Sequence, residues 1–253
     1  MVMKSGNIIM DTAKVIRPRI YPKIWDTIYL LTKPKMRVFN HLLEILPKSS
    51  ILNICDLGCG YKPFKFYLEN QGYKLLNYIG IDFSKENAKP DIVLDLDKGS
   101  LPFDDEYFDV VILSEVIEHL FNPFHALEEA IRVLKRGGYI YISTPFLFGN
   151  HGAPYDYFRF TDLFYKRYFS EKGLEIIDMK KAGSILSASL FIFNLFLWGI
   201  FKESKIIYPI VSVINLIGVF VEIILDWCSR KSAFIKRGKE HLYFGIAVLG
   251  MKK

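Results

Sequence analysis

The sequence has few of the features that mark secreted, disulfide-linked or zinc-binding proteins. Its three cysteines, Cys55, Cys59 and Cys228, are too few for a disulfide framework. None of them has the spacing to another cysteine or a histidine that a zinc site requires. No secretion signal is expected, because the apolar run at residues 8–10 is short and an aspartate follows it. These absences favour a reducing cytoplasmic location.

The sequence also lacks the patterns of a nucleic-acid-binding protein, although its net charge is +6. It contains no basic stripe interleaved with aromatic residues and no zinc-finger spacing, so a nucleic-acid partner is not expected. Its basic residues gather instead at residues 14–37 and 229–239, the second group just after the most apolar part of the chain. That placement favours a membrane surface or an anionic substrate.

What the sequence does contain is an alternation of short apolar runs with helical patterns, which predicts a doubly wound α/β fold with a parallel sheet covered on both faces. The spacing predicts helices over residues 35–46 and 123–134, and the prolines before residue 35 predict an irregular N-terminal arm over residues 1–34. Seven strands are predicted, at residues 51–57, 78–82, 91–96, 108–113, 139–144, 174–179 and 242–249.

The carboxyl ends of the first three strands carry acidic residues and glycines. Asp56 begins the run DLGCG, in which Gly58 and Gly60 can let a ligand approach the backbone. A third glycine at position 63 would indicate a dinucleotide site, but that residue is proline. Asp82 and Asp95 end the second and third strands, where their carboxylates can reach ribose hydroxyls and an adenine amino group. Each could be a helix cap on its own, but three acidic strand ends together favour a ligand site.

An ordered set of motifs over residues 51–181 closely resembles the class I S-adenosylmethionine-dependent methyltransferases, in particular the small-molecule group that includes quinone-biosynthesis enzymes. The motifs are DLGCG at 56–60, YIGID at 78–82, FDVVILSEVIEHL at 108–120 and RVLKRGGYIYISTP at 132–145. The resemblance implies a Rossmann-like seven-stranded sheet, mostly parallel with an antiparallel last strand. It also implies that S-adenosylmethionine is held by Asp56, Gly58, Gly60, Asp82, Asp95, Leu96, Ser114 and Glu115.

The chain departs from that family in three places. Only twelve residues separate Asp82 from Asp95, so the helix usually found between those strands must be very short. Lys62 stands where many relatives have glycine, and Arg136 where the family usually has proline.

Two histidine-bearing segments supply candidates for the acceptor side of the site. The run Glu115-Val-Ile-Glu118-His119 resembles one associated with divalent metals in ubiquinone O-methyltransferases, but the same run occurs in metal-free relatives, and no metal is predicted here. The segment from His151 to Thr161 resembles a run found in methyltransferases linked to cell-surface glycans. We predict His151, His119, Asp156 and Arg159 as catalytic residues. The alternative is that Asp156 and Arg159 pair within a structured loop and Thr161 caps the next helix.

The segment between the sixth and seventh strands is unusually apolar. Residues 182–201 carry no charge and as a helix would reach about 30 Å, the thickness of a bilayer core. In the next apolar segment, Ser212, Asn215, Glu222 and Asp226 fall on one helical face. Because the chain must return to the sheet, a single membrane crossing is excluded. A spanning hairpin, a helix pair lying in the membrane interface, and a soluble cap or homodimer interface remain.

The sequence therefore predicts a methyltransferase domain at residues 35–181 and 240–253 with an apolar insertion at 182–239. The expected function is methyl transfer from S-adenosylmethionine to a small or lipid-linked acceptor, such as a glycan precursor or a quinone, at the inner face of the membrane. One alternative is methylation of a soluble metabolite, with the insertion as a dimer interface. Another is a catalytically silent protein that binds the cofactor and acts as a membrane scaffold.

Overall fold

The structure, a computed structural model, describes residues 16–24, 26, 28–49, 51–86, 88–201, 207–232 and 243–253. Across these residues one sheet is formed by β1 (Ile51–Leu57), β2 (Lys74–Asp82), β3 (Ile92–Val93), β4 (Phe108–Ser114), β5 (Leu134–Pro145), β6 (Leu174–Ala182) and β7 (Gly245–Lys252). The helices are α1 (Tyr29–Ile45), α2 (Pro63–Asn70), α3 (Pro123–Val133), α4 (Asp162–Glu171), α5 (Ile185–Phe201) and α6 (Ile207–Ser229), with a 3₁₀ turn at Ile117–His119.

The strand order places the ends of β1, β2 and β4 side by side. It is β3-β2-β1-β4-β5-β7-β6, and β1 to β5 pair in parallel while β7 runs antiparallel to both β5 and β6. Leu57 lies opposite Ile81 on one side and Leu113 on the other. The expected fold class is therefore confirmed, including the antiparallel last strand.

The strand ends differ from the predicted ones in places that matter for the site. β2 begins four residues before the predicted start, and β3 has two residues instead of six. β3 stops because the chain turns at Asp95, whose carboxylate accepts a hydrogen bond from the Asp97 amide at 3.0 Å. The predicted start of the last strand at residue 242 lies outside the described residues.

Helix α1 begins inside the predicted N-terminal arm. It starts at Tyr29 and continues through Pro34, so the expectation that Pro34 interrupts the helix was wrong. A proline inside a helix costs about 3 kcal/mol because a hydrogen bond is lost and the ring crowds the preceding turn. Burial of Phe39 and Leu42 against the sheet, at about 1.5–3 kcal/mol for each side chain, offsets that cost.

Helices α3 and α4 follow the sequence pattern closely. α3 occupies all but the last residue of the predicted span. α4 begins after Thr161, whose side-chain oxygen accepts a hydrogen bond from the Phe164 amide at 3.2 Å, as the capping interpretation predicted. Apolar side chains of the helices and strands fill two clusters, one on each face of the sheet, so the parallel strands are covered on both sides.

Helices α5 and α6 form a hairpin that is inserted between β6 and β7. Glu222, the charged member of the predicted polar stripe with a described side chain, is buried and accepts hydrogen bonds from the hydroxyls of Ser184 and Ser187. The side chains of Asn215 and Asp226 lie outside the described part of the structure, as do residues Lys236 and Arg237 of the second basic group.

Candidate functional site

The turn after β1 is shaped by two glycines in the left-handed region. Gly58 has φ +68° and donates its amide to the Ile81 carbonyl at 2.8 Å. A Cβ atom on Gly58 would lie 2.3 Å from a methyl group of Val116, so no larger residue fits there. Gly60, with φ +51°, donates its amide to the Asp82 carboxylate at 2.9 Å. The DLGCG turn and the end of the YIGID strand are thus joined by a hydrogen bond, as expected if both belong to one ligand site.

The Asp82 carboxylate keeps the capacity that a ribose requires. One oxygen accepts from the Gly60 amide and the other from the Phe83 amide, each at 2.9 Å. Since each carboxylate oxygen offers about two acceptor sites, one site on each oxygen stays available for two ribose hydroxyls. This arrangement fits the nucleoside part of S-adenosylmethionine.

Asp56 is buried beneath the same turn. Its exposure is 2%, and it accepts a hydrogen bond from the Tyr78 hydroxyl at 2.5 Å. Burial raises the pKa of Asp56 to about 7, and the nearby Asp82 carboxylate acts in the same direction. The Asp56 side chain therefore joins the end of β1 to β2 through Tyr78.

The backbone conformation at Lys62 is one that glycine adopts easily, which explains why many relatives have glycine at this position. Its φ is +55°, in the left-handed region that glycine adopts without strain. The side chain compensates by an ion pair at 2.6 Å between its Nζ and Asp91, whose other oxygen accepts from the Gly80 amide. The departure at Lys62 thus closes the turn by a side-chain contact.

A cavity of about 290 Å³ opens beside this turn. Of the residues predicted to hold the cofactor, four line it: Asp56, Gly58, Ser114 and Glu115. Gly60 and Asp82 lie at the adjoining strand ends, while Asp95 points its carboxylate at its own turn and Leu96 is packed in the core. The Leu94 amide bonds the Asp82 carbonyl at 3.0 Å, so the turn that carries Asp95 lies at the same edge of the sheet. Contact of Asp95 and Leu96 with adenine stays a prediction.

Lys35 lines the cavity wall, although the sequence pattern did not predict it as a site residue. Although it is only 6% exposed, its Nζ lies 2.5 Å from Glu115, which also accepts from the Ser143 hydroxyl at 2.9 Å. The Ser143 hydroxyl is in turn 2.9 Å from that of Ser114. The available signal was the position of Lys35 four residues before Phe39, on the apolar face of α1, where a lysine needs a partner.

The two predicted histidines meet at the opposite wall of the cavity. The rings of His119 and His151 lie 4.7 Å apart, and both residues line the cavity. Their meeting depends on the 3₁₀ turn, because the Glu118 carbonyl accepts hydrogen bonds from the amides of Tyr157 and Phe158 in the loop after β5.

Asp156 and Arg159 form the ion pair that the alternative interpretation described. Two hydrogen bonds of 2.6 and 2.8 Å join them, and Asp156 also accepts from the His151 amide at 3.0 Å. The Arg159 guanidinium holds the pKa of Asp156 well below its usual range. Neither residue belongs to the cavity wall, so their catalytic part stays a prediction. The contact that the structure shows is the one between Asp156 and the His151 amide, which positions His151.

Comparison with known proteins gives a family match for the part of the chain that carries the β1 turn and β4. Residues 55–142 match the family described as Methyltransferase domain. An uncharacterized protein of Methanocaldococcus jannaschii is 40% identical over 108 residues, which are 41% of this chain and 53% of that protein. The chain thus spans about half the length of the curated relative it matches.

Two solved structures share the fold. An S-adenosylmethionine-dependent methyltransferase from Archaeoglobus fulgidus has a TM-score of 0.52 at 17% identity, covering 94% of this chain and 99% of that chain. The [4+2]-cyclase SpnF has a TM-score of 0.53 at 16% identity, covering 85% of this chain and 80% of that chain. At these identities the likeness concerns the fold alone, and one of the two is named for a cyclisation.

Proposed function

We propose that this chain, which belongs to the class I S-adenosylmethionine-dependent methyltransferases by its matched domain and its fold, methylates a small or lipid-linked acceptor. The observation that carries the proposal is the single cavity in which the β1 turn, the β4 end and the two histidines meet. When bound, S-adenosylmethionine supplies a methyl group on a positively charged sulfonium. Positioning of the two reactants alone can lower the barrier by about 7–11 kcal/mol.

The chain's own residues then have three tasks. Asp82 binds the ribose hydroxyls, and Arg19, which reaches the cavity beside Gly60, binds the carboxylate of the donor. The ion pair of Lys35 and Glu115 fixes the wall between donor and acceptor. His151 or His119 accepts a proton when the acceptor is a hydroxyl, which contributes roughly 10²–10⁴-fold to such a reaction.

The acceptor class is inferred from a second, apolar pocket beneath the hairpin. Side chains of α1, α5 and α6 line it, and it shares Ile28, Leu31 and Phe148 with the wall of the first cavity. The pocket is narrow, with a volume of about 20 Å³, so an apolar acceptor would reach the donor from the hairpin side by widening it. A lipid-linked glycan precursor or a quinone-like molecule has the matching chemistry.

The surface of the hairpin supports docking on a membrane. Thirteen of the 25 large hydrophobic side chains that are exposed in the described residues lie on α5 and α6. By length and composition alone, Pro209–Ser229 could also cross a bilayer, and it is the one helix of the described residues with that property. Basic residues flank the apolar surface as expected beside anionic lipids: Lys180, Lys181, Arg230 and Lys231. We place the protein on the cytoplasmic face, with the hairpin lying in the interface.

Calorimetry with S-adenosylhomocysteine tests the donor site. The wild type should bind, and Asp82→Ala should bind about 10–100-fold more weakly, because charge-assisted hydrogen bonds contribute about 1.5–3 kcal/mol. Asp105→Ala is the matched control, since Asp105 pairs with Arg132 away from the cavity. No heat from the wild type at millimolar ligand would end the assignment.

Transfer of a labelled methyl group from S-adenosylmethionine into extracts of the native organism tests the acceptor. We expect label in the lipid fraction, dependent on active protein. Label confined to the aqueous fraction would favour a soluble metabolite. Absence of label together with normal ligand binding would favour the silent scaffold.

A further inference from the structure

Glu118 is the most unusual side chain in the site. It is 0% exposed, and neither of its carboxylate oxygens has a hydrogen-bond partner among the residues that the structure describes. An isolated carboxylate is costly to bury unless a cation or hydrogen-bond donors compensate it. Its placement in the 3₁₀ turn, beside the cavity wall, therefore requires an explanation.

Two imidazole rings face the same oxygen of Glu118. The Nε2 of His119 lies 3.7 Å from Glu118 Oε1, and the Nε2 of His151 lies 3.8 Å from it. These separations are too long for hydrogen bonds. All three ligand atoms of the cluster lie within 4.8 Å of one another.

The opposite nitrogen of each ring fixes its tautomer. The Nδ1 of His119 lies 2.5 Å from the Tyr155 carbonyl, and the Nδ1 of His151 lies 3.3 Å from the Gly149 carbonyl. Because a carbonyl can only accept, each Nδ1 donates a proton. In the neutral rings the lone pair is then on Nε2, directed toward Glu118. Histidines that bind metals are held in this way, with the second nitrogen donating to a carbonyl or carboxylate.

We propose that Glu118, His119 and His151 bind a divalent first-row transition metal such as zinc. Two imidazoles and one carboxylate form a donor set suited to such ions and less suited to magnesium, which prefers oxygen. Ligand atoms on one tetrahedral ion at about 2.1 Å lie about 3.4 Å apart. The two carboxylate–imidazole separations of 3.7 and 3.8 Å are close to that value, and the two imidazole nitrogens, which lie within 4.8 Å of each other, need a rotation of the partly exposed His151 side chain to approach further. Glu115 is excluded from the set, because Lys35 and Ser143 already hold it.

The loop after β5 is built to bring His151 to this place. Gly152 packs against the His119 ring, where an added Cβ would lie 3.0 Å from Cε1. Asp156 accepts from the backbone amide of His151 and is itself held by Arg159. With three protein ligands, positions on the ion stay open toward the cavity. There it would hold an oxygen of the acceptor and lower the pKa of an acceptor hydroxyl, in place of proton acceptance by the two histidines, whose Nε2 atoms would be bound to the ion. This role rests on the proposed methyl transfer.

Cobalt titration of the untagged full chain tests the site without reference to activity. After treatment with a chelator, the protein should bind one Co²⁺ per chain with a visible absorption band, and Zn²⁺ should displace it. His151→Ala and Glu118→Gln should each bind at least about 10-fold more weakly. His125→Ala is the control, because His125 contacts the Gly99 carbonyl and belongs neither to the cluster nor to the cavity wall.

Each outcome decides the proposal. Absence of the band in the wild type overturns it, and so does equal Co²⁺ affinity in the wild type and His151→Ala. If Glu118→Gln fails to fold, His151→Ala still decides, since His151 lies on a loop and its side chain is 30% exposed. Calorimetry with S-adenosylhomocysteine on the same samples separates the two proposals. If the protein binds metal but not the nucleoside, the metal site stands and the methyltransferase assignment is refuted.

Discussion

The four central strands β1, β4, β5 and β7 expose one large apolar side chain, Ile51, whereas the hairpin of α5 and α6 exposes thirteen. Both regions have strongly apolar sequences, so hydrophobicity alone does not explain the difference. The strands are covered on both faces by helices and bury their side chains within the chain. Among the described residues, the hairpin is covered on one face by α1 and the Phe148 loop, and its other face carries the exposed apolar side chains.

Each region also buries carboxylates, but it satisfies them differently. In the sheet region, Asp56 accepts one hydrogen bond and Glu118 has none among the described residues. In the hairpin, Glu222 accepts from two serine hydroxyls at the start of α5. The buried carboxyl groups that the protein leaves incompletely satisfied thus lie beside the cavity, where a ligand can supply further contacts. The hairpin satisfies its carboxylate internally and leaves its outer face apolar.

The largest expected effect concerns Asp56 and pH. Its folded pKa of about 7 lies above the unfolded value of 3.8, so the native state keeps a proton that the unfolded state releases. The contribution of Asp56 to the free energy of unfolding is fully present below pH 4 and is lost as the pH rises toward 7. The loss amounts to about 4 kcal/mol, since each unit of pKa difference corresponds to about 1.36 kcal/mol. Asp56→Asn should lack this loss. Urea unfolding between pH 4 and 8 measures it, and parallel curves for the two proteins would refute it.

Substitution of Gly58 comes next. Gly58→Ala should destabilise the protein by about 3 kcal/mol, because the left-handed backbone costs 1–2 kcal/mol and contact with Val116 adds to it. Gly72→Ala is the matched control: φ is +81° and nothing lies within 4 Å of the added Cβ, so only the backbone cost applies. Equal losses of stability in the two variants would show that the packing around Gly58 is unimportant.

The smallest expected effect is on membrane binding. Replacing Phe196, Phe220 and Trp227 with serine should weaken binding to anionic vesicles about 100-fold, at roughly 1 kcal/mol for each partly inserted side chain. Since these side chains are 59–62% exposed, thermal stability should change little. Leu163→Ser, an exposed residue of α4, should leave vesicle binding unchanged. Vesicle sedimentation measures the effect, and a dimer of the wild type that the triple variant loses would identify a second copy as the partner instead.

Sequence patterns predicted the local features well. All seven strands, the cap at Thr161 and the glycine turn after β1 follow from apolar runs and turn residues, which act over a few neighbouring positions. The errors have the same origin. The Pro34 helix break and the length of β3 were misjudged because burial against the sheet and a turn at Asp95 overrode the local preferences.

By itself, then, the sequence determined the order of strands and helices, the turn that carries Gly58 and Gly60, and the apolar character of the hairpin, since each depends on residues close together in the chain. Only the tertiary structure decided which distant groups meet. Lys35 reaches Glu115 across 80 positions, His151 faces Glu118, and Glu222 turns back to Ser184. The reason is physical: a buried charge takes its partner from whichever element packs beside it, and that packing is settled by the fold as a whole.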